Sequence, residues 1–179
     1  MPKYIALLRG INVSGQKKIL MKDLKLLLEK LGYEEVVTYI QSGNVVFNSA
    51  AGTTAKLEEE ISMGIATEFG YEVPVVVRTR DQIATIIINN PYKDEELLET
   101  NKVGYVLFKQ IPKKELLTAL NQQTFENEVF TVIDNCGYLV YYNGAGNARL
   151  NNNLIERKLK INATSRNHRT MMKLLALSE

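Results

Sequence analysis

Two stretches of this chain carry the same alternation of hydrophobic periods, and a chain that twice passes strand, helix, strand, strand has few ways to bury its apolar faces. In the first, Tyr4 to Leu8 is a short apolar run, after which Leu20, Leu24, Leu27, Leu28 and Leu31 recur at helical spacing up to Gly32, a helix stop. Val36 to Ile40 and Val45 to Phe47 flank Gln41-Ser42-Gly43-Asn44, whose Gly and Asn tolerate positive φ, so an antiparallel hairpin is expected. Thr53 or Thr54 is placed to cap a helix with Leu57, Ile61, Ile65 and Phe69 spaced by four, Gly70 ends it, and Val73 to Val77 supplies a fourth strand. The order β-α-β-β-α-β is the ferredoxin-like one, with two helices on one face of a four-stranded antiparallel sheet.

The pattern restarts with a strand at Val103 to Phe108 and a helix from Pro112 with Leu116, Leu117 and Leu120 inward. A strand at Val129 to Ile133, a turn at Asn135-Cys136-Gly137 and a strand at Tyr138 to Tyr142 follow. Where a second ferredoxin-like lobe would close with helix and strand, the spacing predicts a polar Gly/Asn segment and two helices, near 152–160 and 165–177. The expectation is an α+β chain of two ferredoxin-like lobes with antiparallel sheets and extra C-terminal helices. The lobes fall at residues 1–80 and 102–179, joined over 81–101 by a helix and an acidic linker after Asn90-Pro91.

A length of 179 residues supports burial of roughly 70% of the unfolded chain's surface. At 45% hydrophobic and 23% charged residues, disorder is excluded. Cys136 is the sole cysteine and His168 the sole histidine, so no intrachain disulfide forms and a four-ligand zinc site would need carboxylates; neither metal nor cofactor is expected. The N-terminal apolar run is broken by Arg9 and no stretch of about 18 apolar residues occurs, so the cytoplasm is the default location and no membrane is expected as a partner. The net charge of 22 − 20 = +2 names no partner, but from Arg149 to Lys173 seven Lys or Arg face the single acid Glu156.

Arg9-Gly10-Ile11-Asn12-Val13-Ser14-Gly15-Gln16-Lys17-Lys18 joins the first strand to the first helix. Its glycines let backbone N–H groups converge on an anion, beside donors on Asn12 and Ser14 and charges on Arg9, Lys17 and Lys18. Gly10 and Gly15 have the spacing of a phosphate loop, but Gln16 stands where Lys must follow and Lys18 where Ser or Thr must hold magnesium, which excludes nucleotide hydrolysis by that route. An ordinary polar surface connection explains the same residues. Arg166 and Arg169 fall in the expected first turn of the last helix, against its dipole, unless an anion or carboxylates of the other lobe answer them. His168 is the one side chain able to exchange protons near neutrality, yet its spacing to Met171, Met172 and Leu175 also suits a packed interface. Gly144-Ala145-Gly146 lacks the third glycine of a dinucleotide fingerprint and follows the wrong kind of strand, so it reads as a turn with Arg149 available to a ligand. The first lobe lacks the paired aromatics of ribonucleoprotein strands, and the second offers Tyr105, Phe108, Tyr138, Tyr141 and Tyr142.

Three blocks carry a family likeness: Leu7-Leu8-Arg9-Gly10-Ile11-Asn12-Val13 with Gly15, Thr38 to Phe47 around Gln41-Ser42-Gly43-Asn44, and Arg166-Asn167 with Thr170. They resemble the signature of the bacterial family numbered 1697 among the domains of unknown function. The resemblance implies two ferredoxin-like lobes in a cytosolic bacterial protein and implies no known activity. This chain departs from the family pattern at His168, where an aromatic is usual, and at Ser14, where a second glycine is usual.

Three functions remain open on sequence alone. The first is binding, or turnover, of a phosphorylated or carboxylated small molecule between the lobes by Arg9, Asn12, Ser14, Gly15, Lys17, Arg149, Arg166, Asn167 and Arg169, with Gln41, Ser42 and Asn44 of the hairpin tip alongside. The second is a nucleic-acid module built on the basic C-terminal region and the lobe-two tyrosines. The third is a scaffold or oligomerising protein.

Overall fold

The computed structural model describes residues 1–50 and 52–179. They divide into two compact units, Met1–Ala84 with Lys173–Glu179, and Thr85–Met172. The first unit runs β1 (Lys3–Leu8), α1 (Met21–Lys30), β2 (Glu34–Tyr39), β3 (Asn44–Asn48), α2 (Thr54–Phe69), β4 (Val75–Thr79), and α3 (Arg80–Ile88) leads out of it. Its four-stranded sheet has the order β2-β3-β1-β4 with every neighbouring pair antiparallel. The second contains α4 (Glu95–Glu99), β5 (Val103–Phe108), α5 (Lys114–Asn121), β6 (Glu128–Ile133), β7 (Cys136–Tyr141), α6 (Asn152–Leu159), β8 (Ala163–Asn167) and the start of α7 (His168–Leu177). Its sheet, β6-β7-β5-β8, is likewise antiparallel throughout. The chain is therefore α+β, with the same split βαβ topology twice. No helix among the described residues is long and apolar enough to cross a membrane.

Alternation in the strands decides which side chains meet the helices. Tyr4, Ala6 and Leu8 of β1 point to one face and pack with Leu24, Leu27 and Leu28 of α1 and Leu57, Ile61 and Ile65 of α2. In the second unit Val106, Phe108, Leu139 and Tyr141 meet Leu120 of α5 and Ile155 and Leu159 of α6. Thr53 caps α2 by accepting from the Lys56 amide at 3.3 Å, and Gly70 ends that helix in the left-handed region at φ 73°.

Three local expectations change. Residues 165–167 are strand, not helix: β8 pairs with β5, Tyr105 opposite Arg166, and completes the second array. Ala-Thr-Ser-Arg-Asn shows no apolar alternation because β8 is an edge strand whose outer backbone is answered by α6 side chains. Glu156 Oε1 accepts from the Ala163 amide at 2.9 Å, Asn152 Nδ2 donates to the Ala163 carbonyl at 3.0 Å, and Ser165 Oγ donates to Asn152 Oδ1 at 2.8 Å. The β6–β7 reversal centres on Asp134, at φ 53°, and Asn135, while Cys136 and Gly137 already belong to β7; Gly137 is needed there because a Cβ would lie 2.5 Å from Phe130 Cε2. The acidic linker holds the short helix α4, capped by Asp94, whose carboxylate accepts from the Leu97 amide at 3.1 Å.

The other edge, β4, is covered from α2. Glu58 Oε1 accepts from the Val77 amide at 2.9 Å and lies 3.6 Å from Arg78 Nη1, both side chains buried. Removing one member of a buried ion pair costs about 3–5 kcal/mol. Urea denaturation of Glu58→Ala is expected to show a loss of about that size.

The β2–β3 hairpin tip packs back on β1. A Cβ at Gly43, where φ is +86°, would sit 2.7 Å from Leu8 Cβ and 2.9 Å from Ile11 Cδ1, whereas one at Gly15, φ +74°, meets nothing within 4 Å. Gly43→Ala combines left-handed strain with overpacking and is expected to cost about 2–4 kcal/mol, and Gly15→Ala only about 1 kcal/mol. Equal losses in denaturant titrations would contradict this placement.

Candidate functional site

The loop after β1 is dense in left-handed backbone. Gly10 (φ 70°), Asn12 (54°), Ser14 (49°), Gly15 (74°) and Lys17 (45°) are left-handed, five of eight consecutive residues. The Asn12 amide N–H donates to the Lys17 carbonyl at 3.2 Å and Gln16 N–H to the Val13 carbonyl at 2.9 Å, closing a small reverse turn. The Asn12 side chain is the loop's strut. Its Oδ1 accepts from the Ile19 amide and its Nδ2 donates to the carbonyls of Ile19 and Gln41, all at 2.9 Å. Lys17 Nζ donates to the Glu72 carbonyl. Ser14, Gly15, Gln16 and Lys18 are exposed, and Arg9 is half-buried, its amide donating to the Pro74 carbonyl at 2.9 Å.

The hairpin tip and this loop are one assembly. Leu8 N–H donates to the Gly43 carbonyl at 2.8 Å, and the Asn12–Gln41 bond ties the loop's strut to the tip. Asn44, fully buried, donates to the Tyr39 carbonyl at 2.9 Å and to Ser42 Oγ at 3.0 Å, which braces the turn. Positive φ falls on Ile40 (47°) and Gly43, while Asn44 takes up β3 conformation. The sequence candidates Arg9, Asn12, Ser14, Gly15, Lys17, Gln41, Ser42 and Asn44 therefore share one corner of the first unit.

The second unit holds a chain of hydrogen bonds that ends on the only histidine. Asn90 Oδ1 accepts from the Tyr92 amide at 2.9 Å, which fixes the amide so that Nδ2 donates to the Tyr92 carbonyl and the Tyr105 hydroxyl, each at 3.0 Å. The Tyr105 hydroxyl accepts from Asn90 and lies 2.8 Å from Nδ1 of His168; assigning it as the donor there, with the imidazole proton on Nε2, uses the hydroxyl proton as well. The rings stack at 5.9 Å with 25° between planes. Burial pushes the Tyr105 hydroxyl up to about 12 and lowers the His168 imidazole below its ordinary value. His168 and Arg169 line a cleft of about 550 Å³ with Glu95, Leu98 and Glu99. Two carboxylates, one guanidinium and the imidazole share that lining, which contains no Ser, Thr, Cys or Lys.

The remaining candidates separate. Arg166 is buried on β8, where Nη1 donates to Thr164 Oγ1 at 2.6 Å and the Ser165 carbonyl at 2.8 Å. Asn167 is the cap of α7, its Oδ1 accepting from the Thr170 amide at 2.9 Å. Arg149 is exposed, and its backbone amide donates to Glu128 Oε1 at 3.2 Å. The aromatics considered for base stacking are interior: Tyr105, Phe108, Tyr138, Tyr141, Tyr4 and Phe47 are all buried, and only Tyr142 is exposed. Alternation in β5 and β7 does not rescue a stacking face, because both strands are buried at every position.

The model of the family described as "Protein of unknown function (DUF1697)" matches residues 1–138. The chain belongs to this family. The match spans Met1–Ala84 of the first unit and ends inside β7, so α6, β8 and α7 lie beyond it. A solved structure of a conserved bacterial protein from Streptococcus pneumoniae is similar to this chain at 19% identity, covers 99% of each chain, and superposes with a TM-score of 0.74, a likeness of fold. No curated protein matches the chain. For this member of the DUF1697 family the likeness is one of fold.

Sequence reasoning missed Asn90, Tyr105, Glu58 and Arg78 as partners. Asn90 read as linker; no spacing rule joins Tyr105 to His168, 63 residues apart. Because His168 is the sole histidine, its ring protons give one clean NMR titration. Tyr105→Phe is expected to raise that pKa, since neutral imidazole loses the donor to Nδ1, and to cost about 1–3 kcal/mol. In the native protein the His168 pKa lies below the unfolded value of 6.5, so between the two the unfolded chain binds more protons. This group's contribution to stability is therefore complete above about pH 6.5 and drains as the pH falls below it. An unchanged titration in Tyr105→Phe would contradict the network.

Proposed function

We propose that this chain binds a small molecule through a phosphate or carboxylate group, and that the Gly10–Lys17 loop makes the contact. The observation that supports the reading is the density of left-handed backbone in that loop. Where residues of opposite hand follow one another, as from Gly10 to Ser14, their N–H groups can turn toward one centre, the geometry that favours an anion. Ser14 and Lys17 accept left-handed backbone, at about 1–2 kcal/mol each, where glycine would not be strained. The amides of Asn12 and Gln16 serve the loop itself, so the reading assigns the exposed Ser14, Gly15 and Lys18 as donors, with Arg9 and Lys18 as the nearby charge. Asn12, Gln41, Ser42 and Asn44 hold the frame.

Titration of the uniformly ¹⁵N-labelled chain with inorganic phosphate, and separately with acetate, tests it. Saturable shifts of the amides of residues 13–18, weakened several-fold in Lys18→Gln, are the expected result. Unmoved loop amides at millimolar concentrations of both anions would defeat the reading.

A further inference from the structure

The two units permit a comparison position by position, and at one corner they differ. In each, the last residue of the first strand donates to the hairpin carbonyl and the next amide donates to the segment before the last strand. These bonds are Leu8 to Gly43 and Arg9 to Pro74 in the first unit, and Phe108 to Asn135 (3.1 Å) and Lys109 to Asn162 (2.9 Å) in the second. The long loop of the first unit closes over that corner and sets Lys17 Nζ on the Glu72 carbonyl. In the second unit β5 reaches α5 through residues 109–113 alone, and the corner is an open cleft of about 490 Å³.

We propose that this cleft is a binding site for the phosphate or diphosphate group of a small phosphorylated molecule, held by Lys109, Arg157 and Lys160. These three cations line it against one carboxylate, Glu156, whose Oε1 accepts from the Ala163 amide. Cations in the last turn of α6 are favoured by the helix dipole, which accounts for Arg157. The dipole does not account for Lys109, delivered to the same cleft from the end of β5. Nor does it explain the backbone at Lys160. That residue is the left-handed C-cap of α6, φ 53°, the position that Gly70, φ 73°, holds at the end of α2. One repeat places at this cap the residue that takes the conformation without strain, and the other places a lysine, whose side chain lines the cleft. Strain retained beside converging like charge marks a site in which an anion offsets both. The cleft volume suits a ligand larger than a single ion. The site is independent of the Gly10–Lys17 loop.

Pyrophosphate titrated into the full-length ¹⁵N-labelled chain reads both places in one spectrum, since residues 13–18 report the loop and residues 109–110 and 157–162 the cleft. Saturable shifts in the cleft are expected whether or not the loop responds. Lys160→Gly separates binding from folding. It is expected to raise Tm by about 2 °C, because glycine relieves the cap, and to weaken pyrophosphate binding at least five-fold. Arg157→Gln is expected to weaken binding similarly while lowering Tm by about 2 °C, the loss of its dipole contribution. Unmoved cleft amides in the wild-type chain, or an affinity unaltered in Lys160→Gly, would overturn the site. Shifts produced only by a short single-stranded oligonucleotide and lost on adding salt would overturn it in favour of a nucleic-acid surface.

Discussion

The approach of the hairpin tip to the end of the central strand is the constraint on which the first unit's architecture rests. β1 runs between β3 and β4, and its last residue, Leu8, is fixed by the Gly43 carbonyl while its Cβ sits where a Gly43 side chain would be. That contact is close enough to admit only hydrogen at Gly43. It fixes where the chain leaves the sheet, and the loop that follows inherits its position through Asn12, bonded both to Ile19 ahead and to Gln41 across. The residues of the family likeness in this unit are thus partners in one joint, which accounts structurally for Gly43, Asn12, Gln41 and Asn44 without invoking a ligand.

The second unit repeats the joint with different chemistry. Phe108 donates to Asn135 as Leu8 does to Gly43, but the exit loop is short, the α6 cap is lysine, and the corner stays open. Both units also shield their outer strand with acidic side chains from the preceding helix, Glu58 on Val77 and Glu156 on Ala163. Covering the edge amides satisfies buried donors and removes a template for pairing with another chain. The same device leaves the units with different consequences. Glu58 is buried beside Arg78, and Glu156 stands at the rim of a cleft with a cationic excess.

The hydrogen-bonded line from Asn90 through Tyr105 to His168 shows how burial settles an ambiguous residue. An imidazole with an acceptor in use at Nδ1 is held in one tautomer, beside a cleft lined by two carboxylates and one guanidinium. That accounts for histidine at a position where the family likeness expects an aromatic, because the ring stacks on Tyr105 as an aromatic would and adds one acceptor. Packing and polarity are both served by the same atoms.

Strand and helix periods, a threonine cap at 53 or 54, the Gly70 stop and the doubling of the pattern were legible in the residues, because each depends on neighbours within a turn or two of the chain. β8 was not legible: an edge strand held by side chains of a helix needs no apolar alternation, so Ala163–Asn167 carries no strand signal. The candidate residues were legible as a polar, basic set, but their roles were not. Asn12 and Asn167 look identical to ligand donors until their partners, Ile19 with Gln41 and Thr170, are in place. The sequence by itself determined the elements, their order and the two-fold repeat, since periodicity is a local property of side-chain direction. Only the tertiary structure decided which polar groups brace the fold, which aromatics are interior, and where cations from separate elements converge. Those depend on partners distant along the chain, brought together by burial of the two cores.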